Sequence, residues 1–297
     1  MKVKFFSNYD SSEKLLKRFK DNYIITDDSI EFTTGEDYDT AVVFNRTAEA
    51  VKVDAKLITI VQEPSWSPIH INNPFLTASD VLVIHDAETF EKQLGIKILN
   101  PKPYRRPTDK PQVIETPSYM WYHDHVDKSF FDGIETVKKK KKISMIVSNI
   151  YMSVGNYVKR IELVEKILKS DLDIDIYGRG LNIDDPRYKG EIENKFTGLI
   201  PYEYSIAIEN SCEKNYVTEK FIDPILCSTI PIYYGAPNIG EIYNDWAFDK
   251  IDLDSPTIID DIKVIIEIGA HNISGLNDAK NSYFHEYNLY SLLKTIG

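Results

Sequence analysis

The chain of 297 residues has little of several features that assign a protein to a special class. Its only cysteines, Cys212 and Cys227, fit no metal-binding or redox spacing, so we expect two buried apolar thiols and no disulfide framework. Apolar runs of about eighteen residues, the length that spans a membrane, do not occur, and the first residues lack the apolar core of a signal peptide. These absences predict a soluble, cytoplasmic protein without a transmembrane segment.

Positive charge is also scarce. Lys and Arg number 35 against 46 Asp and Glu, which gives a formal net charge of −11 at pH 7. Because nucleic-acid binding draws its affinity from neutralised backbone phosphates, this balance argues against a nucleic-acid partner. Hydrophobic residues make up 42% of the chain, enough for a sizeable packed core, and the length favours two medium-sized domains.

Short apolar runs alternate with polar, helix-compatible stretches in the first half of the chain. The predicted strands lie at 3–6, 40–44, 57–61 and 81–84, and a predicted helix lies at 11–21. Continuous apolar strands separated by helices are typical of a parallel sheet covered on both faces. We therefore expect an α/β domain over residues 1–137.

The alternation stops between residues 100 and 127, where five prolines and several aromatic residues predict a long irregular connection. Five lysines at 138–142 predict a solvated linker that enters a strand, with an anion-binding or membrane patch as the alternative. The pattern then resumes. Strands are predicted at 143–147, 173–177, 204–208 and 230–234, and helices at 157–169 and 219–227. These elements predict a second α/β domain over residues 138–297.

The residues best suited to chemistry lie at 204–238, in the order strand, loop, helix and strand. Ligands of such parallel units bind beyond the carboxyl ends of the strands, where Glu209 and Asn210 fall. Thr218 fits the N-cap position of the helix, whose start offers free N–H groups and partial positive charge to an anion. Lys220 has the wrong charge for the first turn, which an anionic ligand such as a phosphate would explain. A helix that carries this lysine by chance is the alternative.

This segment resembles the signature of family 10 glycosyltransferases, the α-1,3/1,4-fucosyltransferases. The signature joins a strand that ends in Glu-Asn-Ser, a short loop, Tyr-Val-Thr-Glu-Lys, and then Pro-Val/Ile-Tyr-x-Gly. The matching residues are Glu209, Asn210, Ser211, Tyr216, Val217, Thr218, Glu219, Lys220, Pro231, Tyr233 and Gly235. The likeness extends to further elements of the family, which are matched by Ser148, Asn149, Arg160, Tyr177, Gly178 and Arg179. It therefore covers about residues 143–253.

The resemblance implies a GT-B fold, in which two Rossmann-like α/β domains face a central cleft. It also implies that Arg160 and Lys220 hold the diphosphate of a GDP-sugar donor and that Glu219 holds its ribose. Tyr216 and Asn210 would line the phosphate or the sugar. The remaining candidates on the donor side are Ser148, Asn149, Tyr177, Gly178, Arg179, Glu209 and Thr218.

Three positions depart from the family pattern. Glu203 replaces the usual Lys, Ile208 replaces the usual Phe, and Pro224 stands where the family has an ordinary helix former. Pro224 removes a helical hydrogen bond and is expected to kink the helix unless the helix begins later. Lys159 next to Arg160 leaves the match on the first helix of this domain ambiguous by one position.

In the first domain the resemblance is confined to the residues that follow the strand at 57–61. The family has a Glu-Ser-Pro or Glu-Asn type element there, whose Glu is the catalytic base, and the matching residue is Glu63. Pro64 restricts Glu63 to extended backbone geometry, although Glu-Pro at a strand end is otherwise common in turns. The implied reaction transfers L-fucose from GDP-fucose to a hydroxyl of an oligosaccharide acceptor with inversion, and it requires no metal or other cofactor.

Two further patterns resemble metal sites. Asp173 and Asp175 match the Asp-x-Asp of metal-dependent transferases, but their alternation with apolar residues predicts a half-exposed strand. His123 and His125 carry suitable ligand atoms, but no other ligand lies at a suitable spacing, so we interpret them as a surface element.

The acceptor side contains one candidate group and leaves the function open in two directions. Tyr119, Trp121 and Tyr122 are suited either to stack on a sugar ring or to pack between domains. The alternatives to a fucosyltransferase are a transferase that uses another GDP-sugar and a non-catalytic nucleotide- or sugar-binding protein. The sequence contains no signal for the acceptor's identity or for an oligomeric state.

Overall fold

A computed structural model describes residues 1–23, 25, 29–98, 112–117, 126, 128–134, 138–150, 152–269 and 273–297. The chain forms two compact units. The first unit comprises residues 1–128, 213–216 and 287–297, and the second comprises residues 129–212 and 217–286. Each contains a parallel sheet with helices, so the prediction of two Rossmann-like α/β domains is confirmed. The domain boundary at 137/138 stays a prediction.

Strands and helices alternate over much of the described chain. The strands are β1 (Lys2–Ser7), β2 (Glu31–Phe32), β3 (Thr40–Phe44), β4 (Lys56–Ile60), β5 (Val81–Ile84), β6 (Gln112–Glu115), β7 (Lys141–Ile146), β8 (Asp175–Tyr177), β9 (Tyr202–Ile208), β10 (Ile230–Tyr234) and β11 (Asp249–Lys250). The helices are α1 (Ser12–Asn22), α2 (Phe75–Ala78), α3 (Ala87–Leu94), α4 (Lys128–Ile134), α5 (Tyr157–Leu168), α6 (Glu219–Leu226), α7 (Ile239–Ile242), α8 (Ile258–Ile268), α9 (Ile273–His285) and α10 (Leu289–Ile296). Short 3-10 turns lie at Pro68–His70, Lys195–Gly198 and Asp245–Ala247.

The sheet of the first unit has the order β2-β1-β3-β4-β5-β6. The strands predicted from apolar runs are its inner strands β1, β3, β4 and β5, and β3 is buried along its whole length. Strand β6 corrects the prediction of an irregular connection over 100–127. It pairs in parallel with β5 at the edge of the sheet, where its side chains are exposed or half-buried, so no apolar run marks it.

The sheet of the second unit has the order β11-β10-β9-β7-β8, and its described strand pairs are parallel. The predicted strands and helices of this domain are confirmed to within a few residues. The carboxyl ends of β7, β9 and β10 therefore lie at one edge, followed in the chain by Ser148, Asn210 and Gly235. Asp173 and Asp175 alternate with buried neighbours as predicted, and the carboxylate of Asp175 accepts hydrogen bonds from Lys141 and Tyr202.

The lysine run is not solvated throughout, which corrects the prediction of a solvated linker. The ammonium of Lys139 donates hydrogen bonds to the carbonyl oxygens of Ile200 and Cys227 at 2.8 and 2.7 Å. Burial lowers the pKa of Lys139 to about 8. Lys141 already belongs to β7 and forms an ion pair with Asp175. Lys139 thus donates hydrogen bonds to backbone carbonyl groups inside the second unit.

The cysteines behave differently from one another. Cys227 is buried as predicted, but Cys212 is exposed, because it follows β9 in a surface loop.

None of the helices in the described ranges has the length and apolar composition needed to cross a bilayer. The candidates Tyr119, Trp121, Tyr122, His123 and His125 lie outside the described residues.

Candidate functional site

A cavity of about 300 Å³ lies in the second unit. It is lined by the ends of β7 and β9, by α5 and α6, and by the 3-10 turn at Lys195–Gly198. The polar side chains that line it include Ser148, Arg160, Lys195, Asn210, Glu219, Lys220 and Asp223. The cavity therefore combines three cationic side chains with two carboxylates and one amide at the carboxyl edge of a parallel sheet.

The start of α6 is fixed by a carboxylate of the preceding strand. Glu209 is fully buried, and its two carboxylate oxygens accept hydrogen bonds from the N–H and the hydroxyl of Thr218, both at 2.7 Å. The Thr218 hydroxyl in turn accepts the Lys220 N–H at 3.3 Å, which confirms Thr218 as the N-cap. Burial raises the pKa of Glu209 to about 7, and the nearby Lys220 ammonium only partly opposes this rise.

A glycine of the signature lets the next strand close over this carboxylate. A Cβ atom on Gly235 would lie 2.3 Å from the hydroxyl oxygen of Tyr233 and 2.5 Å from Cγ of Glu209. The Tyr233 hydroxyl accepts the Ala236 N–H at 3.0 Å. Glu209, Thr218, Tyr233 and Gly235 therefore form a buried support beneath the helix start.

Glu219 and Lys220 carry opposite charges in the first turn of α6. The Lys220 ammonium bonds to the Glu219 carboxylate at 2.8 Å. Burial would raise the pKa of Glu219, but the ammonium groups of Lys220 and Lys195 outweigh it and lower the pKa to about 2. Burial would likewise lower the pKa of Lys220, but Glu219 and Glu209 outweigh it and the pKa is raised. Both groups are thus ionised at neutral pH.

Arg160 is the cation that α5 contributes to the cavity. Its guanidinium is largely buried, donates a hydrogen bond to the side-chain oxygen of Asn210 and lies 4.9 Å from the ring centre of Tyr157. The adjacent Lys159 instead bonds to Asp254 and to the hydroxyl of Tyr234, at 2.5 and 3.2 Å. The structure therefore places Arg160, and not Lys159, in the cavity.

Pro224 lies inside α6, which begins at Glu219 and not later. Because proline has no N–H, the helical hydrogen bond to the carbonyl of Lys220 is absent. The helix nevertheless continues past Pro224, since the Cys227 N–H bonds to the Asp223 carbonyl at 3.0 Å. The predicted kink does not end the helix, and the position of Lys220 in the first turn is confirmed.

Sequence reasoning missed Lys195 and Asp223, which form an ion pair at the cavity wall. Asp223 follows Glu219 by one helical turn, so the spacing placed both on one face of α6 and is a usable signal. Lys195 comes from a 3-10 turn capped by Asn194, and no local pattern marks that turn as part of a site.

Of the candidates at 148–149 and 177–179, only Ser148 is among the residues that line the cavity. Ser148 lines the cavity, whereas the amide of Asn149 donates to the carbonyl of Gly180 at 2.9 Å. The Tyr177 hydroxyl bonds to that of Tyr202 at 2.8 Å, and Arg179 is exposed. Gly178 has φ +149°, and a Cβ there would lie 1.4 Å from the carbonyl oxygen of Val147. Only glycine fits here, because the residue after β8 lies this close to the backbone of the residue after its parallel neighbour β7.

Two further candidates, Tyr216 and Glu63, belong to the first unit. Tyr216 is buried, with its ring centre 5.1 Å from that of His85, and it is not among the residues that line the cavity. Glu63 follows β4 and is half-buried, and its carbonyl oxygen accepts a hydrogen bond from Nε2 of His70 at 3.2 Å. The donor role of Tyr216 and the catalytic role of Glu63 stay predictions.

Comparisons with known proteins agree with the geometry of the second unit. Residues 136–258 match the family model described as glycosyltransferase family 10 (fucosyltransferase) C-term. A putative fucosyltransferase-like protein of Arabidopsis thaliana is 35% identical over 28% of this chain and 15% of its own length. Alpha-(1,3)-fucosyltransferase fut-5 of Caenorhabditis elegans is 34% identical over 50% of this chain and 38% of its own length. The chain thus matches less than half the length of these relatives.

The fold is also similar to a solved structure. The crystal structure of an alpha1,3-fucosyltransferase superposes with a TM-score of 0.52 at 17% sequence identity, over 94% of this chain and 81% of the other. At this identity the similarity concerns the fold, and it agrees with the GT-B arrangement of two α/β domains. Residues 136–258 are therefore similar to the carboxy-terminal domain of glycosyltransferase family 10.

Proposed function

We propose that the protein is a GDP-fucose-dependent glycosyltransferase that moves L-fucose to a hydroxyl of a glycan acceptor, with inversion at the fucosyl carbon. The observation that carries the proposal is the cavity in which Arg160 and Lys220 lie beside the ionised Glu219 at the start of a helix. The fucosyltransferase relatives support fucose as the sugar.

The cavity suits a nucleoside diphosphate in each of its polar parts. The diphosphate would bind to the guanidinium of Arg160, the ammonium of Lys220 and the free N–H groups of the α6 start, which favour negative charge. The carboxylate of Glu219 would accept hydrogen bonds from the ribose hydroxyls. These groups are already in place, so they would stabilise the charge that grows on GDP as the bond to fucose breaks.

Glu63 would act as the base on the acceptor side. Its carboxylate takes the proton of the acceptor hydroxyl while that oxygen bonds to C1 of fucose and the bond between C1 and the β-phosphate oxygen breaks. Base assistance of this kind typically contributes about 10²–10⁴-fold to the rate. In this proposal the positive charge at the leaving group comes from side chains and the helix start, and no metal ion or cofactor takes part.

A donor screen tests the proposal. The protein is incubated with GDP-fucose, GDP-mannose, GDP-glucose and, as a control, UDP-glucose, and thermal stabilisation and nucleotide release are measured for each. A specific ligand at a hundred times its Kd stabilises the folded state by about 2.7 kcal/mol. We expect stabilisation by all GDP-sugars and fastest turnover of GDP-fucose. Faster turnover of another GDP-sugar would favour a different donor, and binding without turnover would favour a non-catalytic protein. Glycan acceptors are then offered with the donor that is turned over.

A further inference from the structure

The loop inside the signature, residues 213–216, belongs to the first unit although the signature on both sides of it belongs to the second. Glu213 in this loop has a side chain that is only 10% exposed. Its carboxylate accepts the Ser65 N–H at 3.0 Å and the Nε2–H of His85 at 2.8 Å. Because Ser65 follows Glu63 by two positions, a carboxylate of the donor signature holds the backbone next to the proposed base.

A second hydrogen bond, to the carbonyl oxygen of Glu63, holds the same short segment. The imidazole of His70 faces the Glu63 carbonyl oxygen at 3.2 Å, and since a carbonyl only accepts, Nε2 carries the proton. Burial lowers the pKa of His70 to about 4, so the ring is neutral at pH 7 and keeps this donor. The rings of His70 and His85 both pack edge-on against Phe90, with centres 4.9 and 5.1 Å away.

The position of Glu213 is itself fixed by its neighbours in the loop. The side-chain amide of Asn215 donates to the His85 carbonyl at 2.8 Å, and Asn215 adopts φ +57°, a left-handed conformation that asparagine tolerates. The ring of Tyr216 packs against His85 on the other side. The loop thus contacts His85 twice, since Asn215 bonds to its backbone and Tyr216 packs against its ring. The ring of His85 in turn orients the carboxylate of Glu213.

A nearly buried carboxylate is costly unless its hydrogen bonds are satisfied, and a well-packed apolar side chain would fill the same place at lower cost. What an apolar side chain lacks is an acceptor for the Ser65 N–H. This hydrogen bond restricts the backbone from which the Glu63 side chain projects. A general base must point at the hydroxyl it deprotonates, and a displacement of about 1 Å costs about 10²-fold in rate.

We propose that Glu213 is a positioning residue for Glu63: its carboxylate, oriented by the His85 ring, holds the 63–65 backbone through the Ser65 N–H. The inference rests on the proposed function, in which Glu63 is the base. Lys214, next in the loop, provides a matched control, because its side chain is half-exposed and its ion pair with Glu115 at 3.4 Å does not involve the 63–65 segment.

The test compares Glu213→Met and Glu213→Gln with Lys214→Ala and Glu63→Gln. Both changes at Glu213 remove the charge and keep the length of the side chain, but only glutamine keeps an oxygen that accepts the Ser65 N–H. GDP release from GDP-fucose gives kcat and KM, calorimetry gives the Kd of GDP, and thermal melting reports folding. We expect Glu213→Met to lower kcat about 10²-fold with KM and the Kd of GDP unchanged. Glu213→Gln should recover most of the rate, and Lys214→Ala should match the wild type.

Three results would overturn the inference. The first is wild-type kcat in Glu213→Met. The second is equal loss in the methionine and glutamine variants, which would mean that the charge and not the hydrogen bond matters. The third is a loss of kcat that follows the loss of folded protein, which would mean a purely structural role for Glu213. Wild-type turnover in Glu63→Gln would instead remove the proposed base, and failure of the wild type to turn over any GDP-sugar would remove the proposed enzyme.

Discussion

The buried carboxylate of Glu209 makes the stability of the second unit depend on pH. Its ordinary pKa is 4.5, and in the folded protein burial raises the pKa to about 7. Below pH 4.5 the group is protonated in both the folded and the unfolded chain, so its contribution to stability is complete. As the pH rises, the unfolded chain loses the proton first, and stability falls until the folded pKa is passed. At about 1.4 kcal/mol per pH unit, this loss amounts to about 3 kcal/mol by pH 8.

The variant Glu209→Gln isolates this effect. Glutamine does not titrate and reproduces the protonated acid, because its oxygen accepts the Thr218 N–H and its amide donates to the Thr218 hydroxyl. The free energy of unfolding is measured by urea denaturation at pH 5 and at pH 8. Between these values the difference between variant and wild type should move by about 2.5 kcal/mol in favour of the variant.

Glu203→Gln is the matched control, since Glu203 is half-exposed and pairs with Lys142 on the same strand pair. Its difference from the wild type should stay nearly constant over the same pH range. If the Glu209→Gln difference is also constant, the pKa of Glu209 is not raised, and the buried support beneath α6 does not have the electrostatics described above.

Three further substitutions test the site. Lys220→Ala should weaken GDP binding by about 1.5–3 kcal/mol in calorimetry, the usual value of a charged hydrogen bond, whereas Lys142→Ala should leave it unchanged; equal affinity in Lys220→Ala would refute the diphosphate role. Glu63→Gln should lower transfer by about 10²–10⁴-fold at unchanged GDP affinity, and undiminished transfer would contradict the base assignment. Gly235→Ala should destabilise the protein by about 1–3 kcal/mol in urea unfolding, because its Cβ would overlap Tyr233; wild-type stability would show that the strand can shift.

The parts of the fold that could be predicted are those whose signal is local. Strands β3 and β5 are buried along their whole length, so each appears as a continuous apolar run. Strand β6 has no such run because it lies at the sheet edge. Lys139 looks like its four lysine neighbours, since its burial depends on the carbonyls of Ile200 and Cys227, which are distant in the chain.

The same distinction between local signals and distant contacts applies to the candidate site. The resemblance implied a ribose-binding role for Glu219 and named Glu209 only as a further candidate on the donor side; in the structure Glu209 is a buried support and Glu219 lines the cavity. Their roles differ because strand β9 points the first into the interior, whereas the start of α6 turns the second toward the cavity. Lys195 was not predictable, because tertiary packing brings its 3-10 turn to α6 and pairs it with Asp223.

The short loop between the two halves of the signature has three separate attachments. Before it, the side-chain amide of Asn156 donates to the Glu209 carbonyl at 3.0 Å, and the backbone N–H of Asn156 donates to the Asn210 carbonyl at 2.9 Å. After it, Thr218 is bonded to the Glu209 carboxylate. Between them, Glu213 binds Ser65 and His85 within the first unit. A loop held at both ends and at its tip has little freedom to change length or direction.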